Sequence, residues 1–459
     1  MHNPVRPRSL PALAISLAVL LMATACGSAA SPSPTSQATG SASPTGQASP
    51  TQAPAGSLTM ISSQLVPVAE SEKMQNNILA NFSGEVQFVG ADSGPFNDQI
   101  RAQAEAGAGA TISLIGGLHG EFSSFAADGL LTDLSDIVAD LGDINSEYME
   151  LGKLGTGEQL YIPWMQNTYI MAARKEAMQY LPAGADINAL TWQQVSDWGA
   201  AITTATDEKK LGFPAGPDGL WHRFFQGYAY PAFTGGLNTQ FATDKATAMW
   251  SWLADTWSTS VNEASTTYAF MQEPLQSGDV WIAWDHAARL IDALRNMPEG
   301  DIVAFPAPAG PEGRAFMPVL AGLAIPKAAP DVEGAKALIK YLLQPDTQAT
   351  TLREVAFFPV ITAELPGDLD PGPKAESDAI TTMTNASDAL PSLLPIGLGD
   401  KGADYNKVFR DAFQQIVLDG GDPATVLAAR KTELQAVLDA AGATCWAPDP
   451  PSEGTCQAQ

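Results

Sequence analysis

Three tryptophans lie at positions where an aromatic ring could contact a ligand. Trp164 follows a proline in LYIPWMQN, Trp221 follows the Pro/Gly-rich part of FPAGPDGLWHRFF, and Trp284 ends a short apolar run in SGDVWIAWDH. A flat ring with one polar edge fits the apolar face of a pyranose, whose hydroxyl groups are bound by Asp, Asn, Gln and Arg. We predict that these tryptophans line a ligand site, with His222 and Asp285 as nearby polar partners. Packing in the core is the alternative for each ring.

Weaker candidates follow the ends of predicted strands. Gln64 comes after the first strand, Asp92 after the second and His119 after the third. Ligands of α/β sheets bind at such strand ends. Phe358, in AFFPV, is a further candidate. A structural role is the alternative for all four side chains.

The motifs of catalysis are absent from the part of the sequence that reads as globular. It contains no HExxH, GxSxG, SxxK or phosphate-binding Walker sequence, and its histidines lack metal-ligand spacing. GLGDKG at 397–402 fits GxGxxG, but no predicted strand leads into it. We therefore predict a protein that is not an enzyme and that uses no cofactor or metal. A glycosidase built on an unrecognised carboxylate pair, or an esterase, is the enzymatic alternative.

The charge balance excludes one class of partner. The chain has 24 Lys and Arg against 50 Asp and Glu, a formal net charge of −26. Nucleic-acid binding needs clustered cations that displace counterions, so we expect no nucleic-acid partner. The same balance disfavours adsorption on anionic lipid.

The first 56 residues indicate export and attachment. Arg6 and Arg8 precede the apolar run LPALAISLAVLLMA and the small residues before Cys26, as in an export signal over 1–25. The junction resembles the bacterial lipoprotein signal, whose cysteine is lipidated; an ordinary secretory signal with a chance cysteine is the alternative. Residues 26–56 are rich in Ser, Thr and Pro and predict a disordered spacer. The expected location is the extracytoplasmic face of the cell membrane, with a lipid anchor as the only membrane contact.

Two cysteines remain, Cys445 and Cys456 in TCWAPDPPSEGTCQ. Thiols close in sequence usually pair in an oxidising compartment, so we predict a disulfide that staples a C-terminal surface loop over 445–459. A metal site is disfavoured because no histidine lies nearby and two thiolates do not complete a zinc shell.

The globular part alternates strands with helices. Apolar strands are predicted at 57–62, 85–90 and 111–117, with amphipathic helices between them. This alternation is typical of parallel sheets with crossover helices and predicts an α/β fold. Later helices have clear start signals: a Thr191/Gln194 capping box, and N-caps at Asp331 and Asp422.

Several segments, in this order along the chain, resemble the extracellular solute-binding proteins of ABC importers, specifically the large sugar-binding family 1. They cover most of 57–440 and are SFAADGLLTDLSDIV, GEQLYIPWMQNTYIMAARKEAM, INALTWQQVSDWGAAI, LQSGDVWIAWDHAARLIDAL and VAFPAPAGPEGRAFMPVLAGLAIPKAAPDVEGAKALIKYLLQPDTQ.

The resemblance implies a type II periplasmic-binding-protein-like fold, in which two α/β lobes joined by crossing strands enclose a ligand cleft. Crossings are expected near 167–170, 283–286 and 320–324. They would place 57–167 with 286–320 in lobe 1, and 170–283 with 324–444 in lobe 2.

The resemblance also implies a function. A monomer would capture a small-molecule solute by hinge closure and deliver it to ABC permease subunits. A mono- or oligosaccharide is the expected solute, and a polyamine is the alternative.

Overall fold

The computed structural model describes residues 57–361 and 367–459. The predicted signal peptide, Cys26 and the spacer lie outside these described residues. The strands are β1 (Leu58–Ser62), β2 (Val86–Gly90), β3 (Leu114–Leu118), β4 (Ile162–Asn167), β5 (Tyr169–Arg174), β6 (Leu211–Gly212), β7 (Ile282–His286), β8 (Ile302–Phe305), β9 (Arg314–Phe316), β10 (Val319–Ala324), β11 (Phe358–Pro359) and β12 (Ala389–Pro391).

The helices alternate with these strands in the first part of the chain and dominate its second part. They are α1 (Val68–Lys73), α2 (Ser93–Ala106), α3 (His119–Ala127), α4 (Ser146–Leu151), α5 (Lys175–Met178), α6 (Trp192–Thr206), α7 (Trp221–Phe224), α8 (Tyr230–Thr234), α9 (Asp244–Ser260), α10 (Gln272–Ser277), α11 (Ile291–Asn296), α12 (Val332–Leu342), α13 (Pro345–Val355), α14 (Pro371–Thr384), α15 (Gly402–Phe413) and α16 (Pro423–Ala441). Within the described part of the chain, none is long and apolar enough to cross a membrane.

The helix ends follow the signals predicted from the sequence. At the start of α6, the Thr191 hydroxyl accepts the Gln194 N–H at 3.2 Å, and the Gln194 side chain accepts the Thr191 N–H at 2.9 Å. This reciprocal pair is the predicted capping box. Asp331 and Asp422 accept backbone N–H groups at the starts of α12 and α16. Helix α16 ends at Gly442, whose φ of 63° suits glycine.

The first sheet has six strands in the order β11-β4-β10-β3-β1-β2. Strand β1 pairs in parallel with both β2 and β3. Parallel neighbours need a crossover connection, which α1 and α2 supply. Strand β10 pairs antiparallel with β3 and β4. The predicted parallel strand–helix alternation is confirmed for this part of the chain.

The second sheet has four strands in the order β6-β7-β5-β8, in which β5 pairs antiparallel with β7 and β8. Strands β9 and β12 form a separate parallel pair. We call the first sheet with its helices lobe 1 and the second sheet with its helices lobe 2. The expected α/β architecture of two lobes is confirmed.

The connection between the lobes is short and internally bonded. Strand β4 ends at Asn167 and β5 begins at Tyr169, so Thr168 alone separates the two sheets. The Thr168 hydroxyl donates to the carbonyl of Met317, at 2.8 Å, on the segment that returns to lobe 1. The Tyr228 hydroxyl of lobe 2 lies 3.0 Å from the same Thr168 oxygen. The two crossing segments are therefore held side by side.

The predicted lobe boundaries are wrong beyond residue 286. Strand β8 pairs with β5, so the segment after β7 stays in lobe 2 and the crossing predicted at 283–286 does not exist. Strand β10 lies inside the first sheet, and α12 and α13 pack with lobe 1. The chain returns to lobe 2 after β11, where α14 packs against β8. Local sequence indicates where strands lie, whereas sheet membership depends on distant partners.

The C-terminal tail is part of lobe 2. Trp446 and Cys456 are buried in its large apolar core. The buried carboxylate of Asp449 accepts the backbone N–H groups of Leu237 at 2.8 Å and Asn238 at 2.7 Å. The prediction of a loop that merely staples the surface is therefore wrong, because the tail supplies core side chains and hydrogen bonds.

Candidate functional site

A cleft lies between the lobes where the parallel strands of lobe 1 end. It consists of a cavity of about 310 Å³ and an adjoining one of about 500 Å³. The two cavities share lining residues from both lobes: Asp92, Ser93 and Leu118 from lobe 1, and Arg223, Leu394 and Asn406 from lobe 2. A solute held here would contact both lobes at once.

The lobe 1 wall is built from the loops after β1, β2 and β3. Gln64 and Asp92, which the sequence placed at strand ends, both line the cleft. Glu121, near the start of α3, accepts the Ser63 hydroxyl at 2.5 Å, the Ser93 hydroxyl at 2.6 Å and a backbone N–H at 2.8 Å. These bonds fix Glu121 as a rigid acceptor between the three strand ends.

The lobe 2 wall has a different character. It presents Tyr169 at the start of β5, His222 and Arg223 on α7, and His286 and Arg289 at the end of β7. Tyr169 and His286 face each other across the β5–β7 register, with ring centroids 5.0 Å apart. This wall therefore combines two guanidinium groups with three buried aromatic or imidazole rings.

Burial controls the charge of the histidines in the cleft. Burial, with a smaller effect of the Arg289 charge, lowers the pKa of His286 to about 3. The pKa of His222 lies well below its usual value because of burial and then the nearby Arg223 and Arg410 charges. Both imidazoles are neutral at pH 7, so each donates at one nitrogen and accepts at the other. His222 Nδ1 accepts from Arg410 at 3.0 Å, which leaves its Nε2–H as the donor. The fixed positive charge of this wall belongs to its arginines.

The three tryptophans predicted as ligand contacts lie in the cores instead. Trp164 is fully buried among the apolar side chains of lobe 1, and Trp221 is packed among phenylalanines and Trp257 in lobe 2. Trp284 is fully buried and stacks on Tyr169, with centroids 4.9 Å apart. The core alternative holds for all three rings. Trp284 supports a cleft residue without lining the cleft itself.

Three other candidates also point away from the cleft. The His119 ring lies 2.7 Å from the Tyr161 hydroxyl inside lobe 1. Asp285 is fully buried and bonded to backbone N–H groups. Phe358 lines a separate cavity near the lobe crossing, while its neighbour Phe357 lines the cleft. Neighbouring residues on a strand face opposite sides, which sequence position alone does not assign.

One stretch of the cleft had no sequence-based prediction. Leu394, Pro395 and the segment Leu398–Ala403 close the lobe 2 side of the larger cavity. This segment overlaps the GLGDKG motif at 397–402 that lacked a preceding strand, and helix α15 begins within it. The signal that could have identified it is a glycine-rich turn directly before a helix start.

Asp285 sits directly behind the cleft and should make stability depend on pH. Burial raises the pKa of its carboxyl to about 6, against smaller lowering effects of Arg289 and of the N–H donors of His286 and Met271. The folded pKa exceeds the unfolded value of about 3.9. The stability that this group contributes is therefore present at low pH and is lost as the pH rises through about 6.

The measurement compares wild type with Asp285→Asn, which does not ionise. The free energy of unfolding of the wild type, relative to this variant, should fall by about 2–3 kcal/mol between about pH 4 and pH 7. Urea unfolding at a series of pH values gives this difference directly. A difference that stays constant across the series would contradict the assignment of a buried, ionising carboxyl.

The described residues contain no group of three or more His, Cys, Asp or Glu side chains that could hold a metal ion. The chemistry that the cleft offers is hydrogen bonding and charge, supplied by carboxylates on one side and by guanidinium, hydroxyl and imidazole groups on the other. Such an arrangement can orient a small polar solute.

Comparison with known proteins identifies the architecture. The family model of bacterial extracellular solute-binding proteins matches residues 69–380. The structure is similar to maltose-bound MalE3 of T. maritima, with a TM-score of 0.66, 17% identity, and coverage of 83% of this chain and 100% of that one. It is also similar to UgpB of Mycobacterium tuberculosis in complex with glycerophosphocholine, with a TM-score of 0.64, 18% identity, and coverage of 84% and 99%. No curated protein matches the chain.

Proposed function

The chain belongs to the family of bacterial extracellular solute-binding proteins, and from that premise we propose that it captures a carbohydrate-like solute in its cleft and delivers it to an ABC permease. The observation that supports this most is the cleft itself, whose walls come from both lobes. A solute that contacts both walls favours the closed arrangement by its differential affinity. Members of the family bind and carry solutes, so no bond is made or broken in this function.

The choice of a hydroxylated solute rests on the groups of the lobe 1 wall. Asp92 and Gln64 present oxygen acceptors at neighbouring strand ends, and the Gln64 side chain also carries an amide N–H₂ group. Glu121 holds the Ser63 and Ser93 hydroxyls beside them. Vicinal hydroxyls pair well with such groups. MalE3, which is similar in structure, was solved with maltose bound. A polyamine fits less well, because Arg223 and Arg289 on the facing wall would repel its ammonium groups.

The test of this function measures both the binding of solutes and the change in the radius of gyration that binding causes. Calorimetry with a panel of mono- and oligosaccharides, with putrescine and spermidine as comparison solutes, should show heat of binding for sugars. Small-angle scattering with and without the binding sugar should show a smaller radius of gyration in its presence. A panel in which only the polyamines bind would refute the carbohydrate assignment, and binding without compaction would refute hinge closure.

We also propose that Cys26 carries the lipid anchor. It follows an apolar run and small residues and precedes a long Ser/Thr/Pro spacer. A diacylated cysteine holds a protein on a membrane far better than a single chain does. Cys26→Ser should move the protein from the membrane fraction to the medium, detected by immunoblot of both fractions. A variant that still fractionates with membranes would contradict the anchor; Ser28→Ala serves as the matched control.

The disulfide between Cys445 and Cys456 is a further proposal for the exported protein. The two sulfurs lie at bonding distance, with Cα atoms 4.6 Å apart. Closing a loop of this length stabilises by about 2–3 kcal/mol in the chain-entropy model. Because the tail packs into lobe 2, the double Ser variant should lower the melting temperature of the whole lobe. Non-reducing peptide mapping that recovers both cysteines as free thiols would contradict the bond.

A further inference from the structure

The arginines of the cleft differ from most others in the described chain. Five other guanidinium groups form ion pairs with carboxylates, those of Arg101, Arg174, Arg314, Arg353 and Arg430. Arg295 and Arg410 bond instead to backbone carbonyls, and Arg410 also to His222. Among the described residues, no carboxylate lies within ion-pair distance of Arg223 or Arg289. Arg223 donates to the Gln226 side chain at 2.9 Å, and Arg289 lies over the Phe270 ring at 4.4 Å. In a chain with a net charge of −26, two unpaired cations on one wall require an explanation.

Two buried polar side chains on the same wall also lack partners. Tyr169 is 2% exposed and His286 is 7% exposed, and both line the cavity. No residue in the described part of the chain makes a hydrogen bond to the Tyr169 hydroxyl or to the His286 ring nitrogens. Neither the Tyr169 hydroxyl nor a His286 ring nitrogen is fully enclosed by protein, so these polar atoms open into the cavity although the side chains that carry them are buried. A hydroxyl and an imidazole held in this way are donors that a bound ligand would satisfy.

These four side chains form one constellation. All four line the same cavity, and the charges of Arg223 and Arg289 both act on the Tyr169 hydroxyl, against that of Asp285. His286 packs against the Tyr169 ring and lies near Arg289. Guanidinium groups match the oxygens of carboxylates and phosphates, and a phenol and an imidazole add neutral donors. The constellation has the composition of an anion site. Tyr169, His286 and Arg223 lie on β5, β7 and α7, and Arg289 lies in the turn directly after β7.

We infer that the solute carries an anionic group, a carboxylate or a phosphate, which binds to the lobe 2 wall through Arg223, Arg289, Tyr169 and His286. This inference rests on the proposed function of the cleft and adds the charge of the solute to it. The hydroxylated part of the same solute then faces lobe 1. The solute class is an acidic or phosphorylated sugar derivative rather than a neutral sugar.

The carboxylates that face the constellation are consistent with this orientation. Glu121 is occupied by two hydroxyl donors and an N–H, and Asp92 is exposed at the cleft edge. Glu70 lies across the cleft from Arg289 but beyond ion-pair distance, and burial raises its pKa. These three groups belong to lobe 1. In lobe 2, Asp285 also acts on Tyr169 and Arg289, but it is fully buried behind the wall and its two oxygens accept backbone N–H groups. The two surfaces that face each other at the constellation therefore differ in charge. A solute with an anionic end and a hydroxylated end would be held in one orientation.

The experiment uses matched pairs of probes measured by calorimetry. Glucose is compared with glucuronate and with glucose 1-phosphate, and inorganic phosphate is included as an anion without a sugar. We expect at least one anionic sugar to bind roughly tenfold or more tightly than glucose, as one charge-assisted contact would give. The two acids separate a carboxylate site from a phosphate site. Glucose that binds as tightly as both acids would overturn the inference.

Substitutions of the two arginines then test whether they cause the preference for anionic sugars. Arg223→Gln and Arg289→Gln should each remove most of the preference for the anion, whereas Arg223→Lys and Arg289→Lys should keep part of it. The matched control is Arg353→Gln, which removes an equal charge outside the cleft and should leave the preference unchanged. A preference that survives in both cleft variants would overturn the inference, and melting temperatures show that each variant is folded.

The outcomes separate this inference from the proposed function. Neutral sugars that compact the protein and bind as tightly as both acidic sugars would support the function and overturn the anion site. Inorganic phosphate that binds while no sugar does would support the anion site and overturn the carbohydrate assignment. If none of the anions binds, the anion site is refuted.

Discussion

Replacing Trp284 by alanine should lower the free energy of unfolding by about 3–5 kcal/mol, the usual cost of truncating a large buried aromatic ring. The ring is fully buried in lobe 2 and stacks on Tyr169 at an interplanar angle of 6°. Its other face and edges contact Phe224 and Tyr228, with centroids 5.2 Å away in each case. The vacated space would be too enclosed to collapse without moving β5 or β7.

The variant separates a core ring from a ligand contact. Removing a ring that stacks on a solute would lower the affinity for the solute and leave the melting temperature nearly unchanged. Removing the Trp284 ring should instead lower the stability of the fold. Chemical denaturation gives the free energy, and Trp284→Phe is the matched control, since a smaller ring keeps the stack on Tyr169. Normal stability with lost binding in Trp284→Ala would contradict the core assignment. Some affinity should be lost in any case, because Tyr169 loses its support.

Replacing Asp449 by alanine should destabilise lobe 2 by roughly 3–5 kcal/mol, since several donors would lose their acceptor at once. The carboxylate accepts the N–H groups of Leu237 and Asn238, and also the N–H of Thr239 at 3.3 Å and its hydroxyl at 2.5 Å. Buried donors left without an acceptor retain the full cost of desolvation. The expected loss of stability is large because this single carboxylate accepts the hydrogen bonds of three successive residues of lobe 2.

The control for this prediction is Asp449→Asn, which retains one acceptor oxygen and should lose about half as much stability. Urea midpoints of the wild type and both variants give the comparison. Equal losses in the two variants would show that shape rather than hydrogen bonding fixes the tail. Removal of residues 445–459 should be at least as damaging as Asp449→Ala, and a truncated chain of native stability would contradict the role given to the tail.

Most of the fold could be predicted because its determinants are local. Helix ends depend on single residues such as Thr191, Asp331 and Gly442, and the parallel strands of lobe 1 depend on a short alternation of apolar runs and helices. Membership of a strand in a sheet is not local. Strand β8 pairs with β5, which lies more than a hundred residues earlier in the chain. The apolar pattern of either segment does not predict this pairing.

Several site residues were predicted one or two positions away from the side chains that line the cleft. Trp221 was predicted beside His222, which was also predicted and does line the cleft, and Arg223 was not predicted. Asp285 was predicted where its neighbour His286 lines the cleft. The register of each strand and the rotation of each short helix determine which side chains point toward the cleft. On a strand, a shift of one residue moves a side chain to the opposite face. Gln64 and Asp92 were placed correctly at the cleft because strand ends, unlike strand faces, follow from the topology.

The bond between Thr168 and the returning segment has a mechanical consequence. Thr168 is a joint of one residue, bonded to the antiparallel returning segment at Met317 and to the Tyr228 hydroxyl, so we expect it to resist sliding and twisting of the sheets more than it resists bending. We therefore expect bending about this joint to be the easiest relative motion of the two lobes. A partner protein that recognises the solute-bound form would then need to sense only the angle between the two lobes.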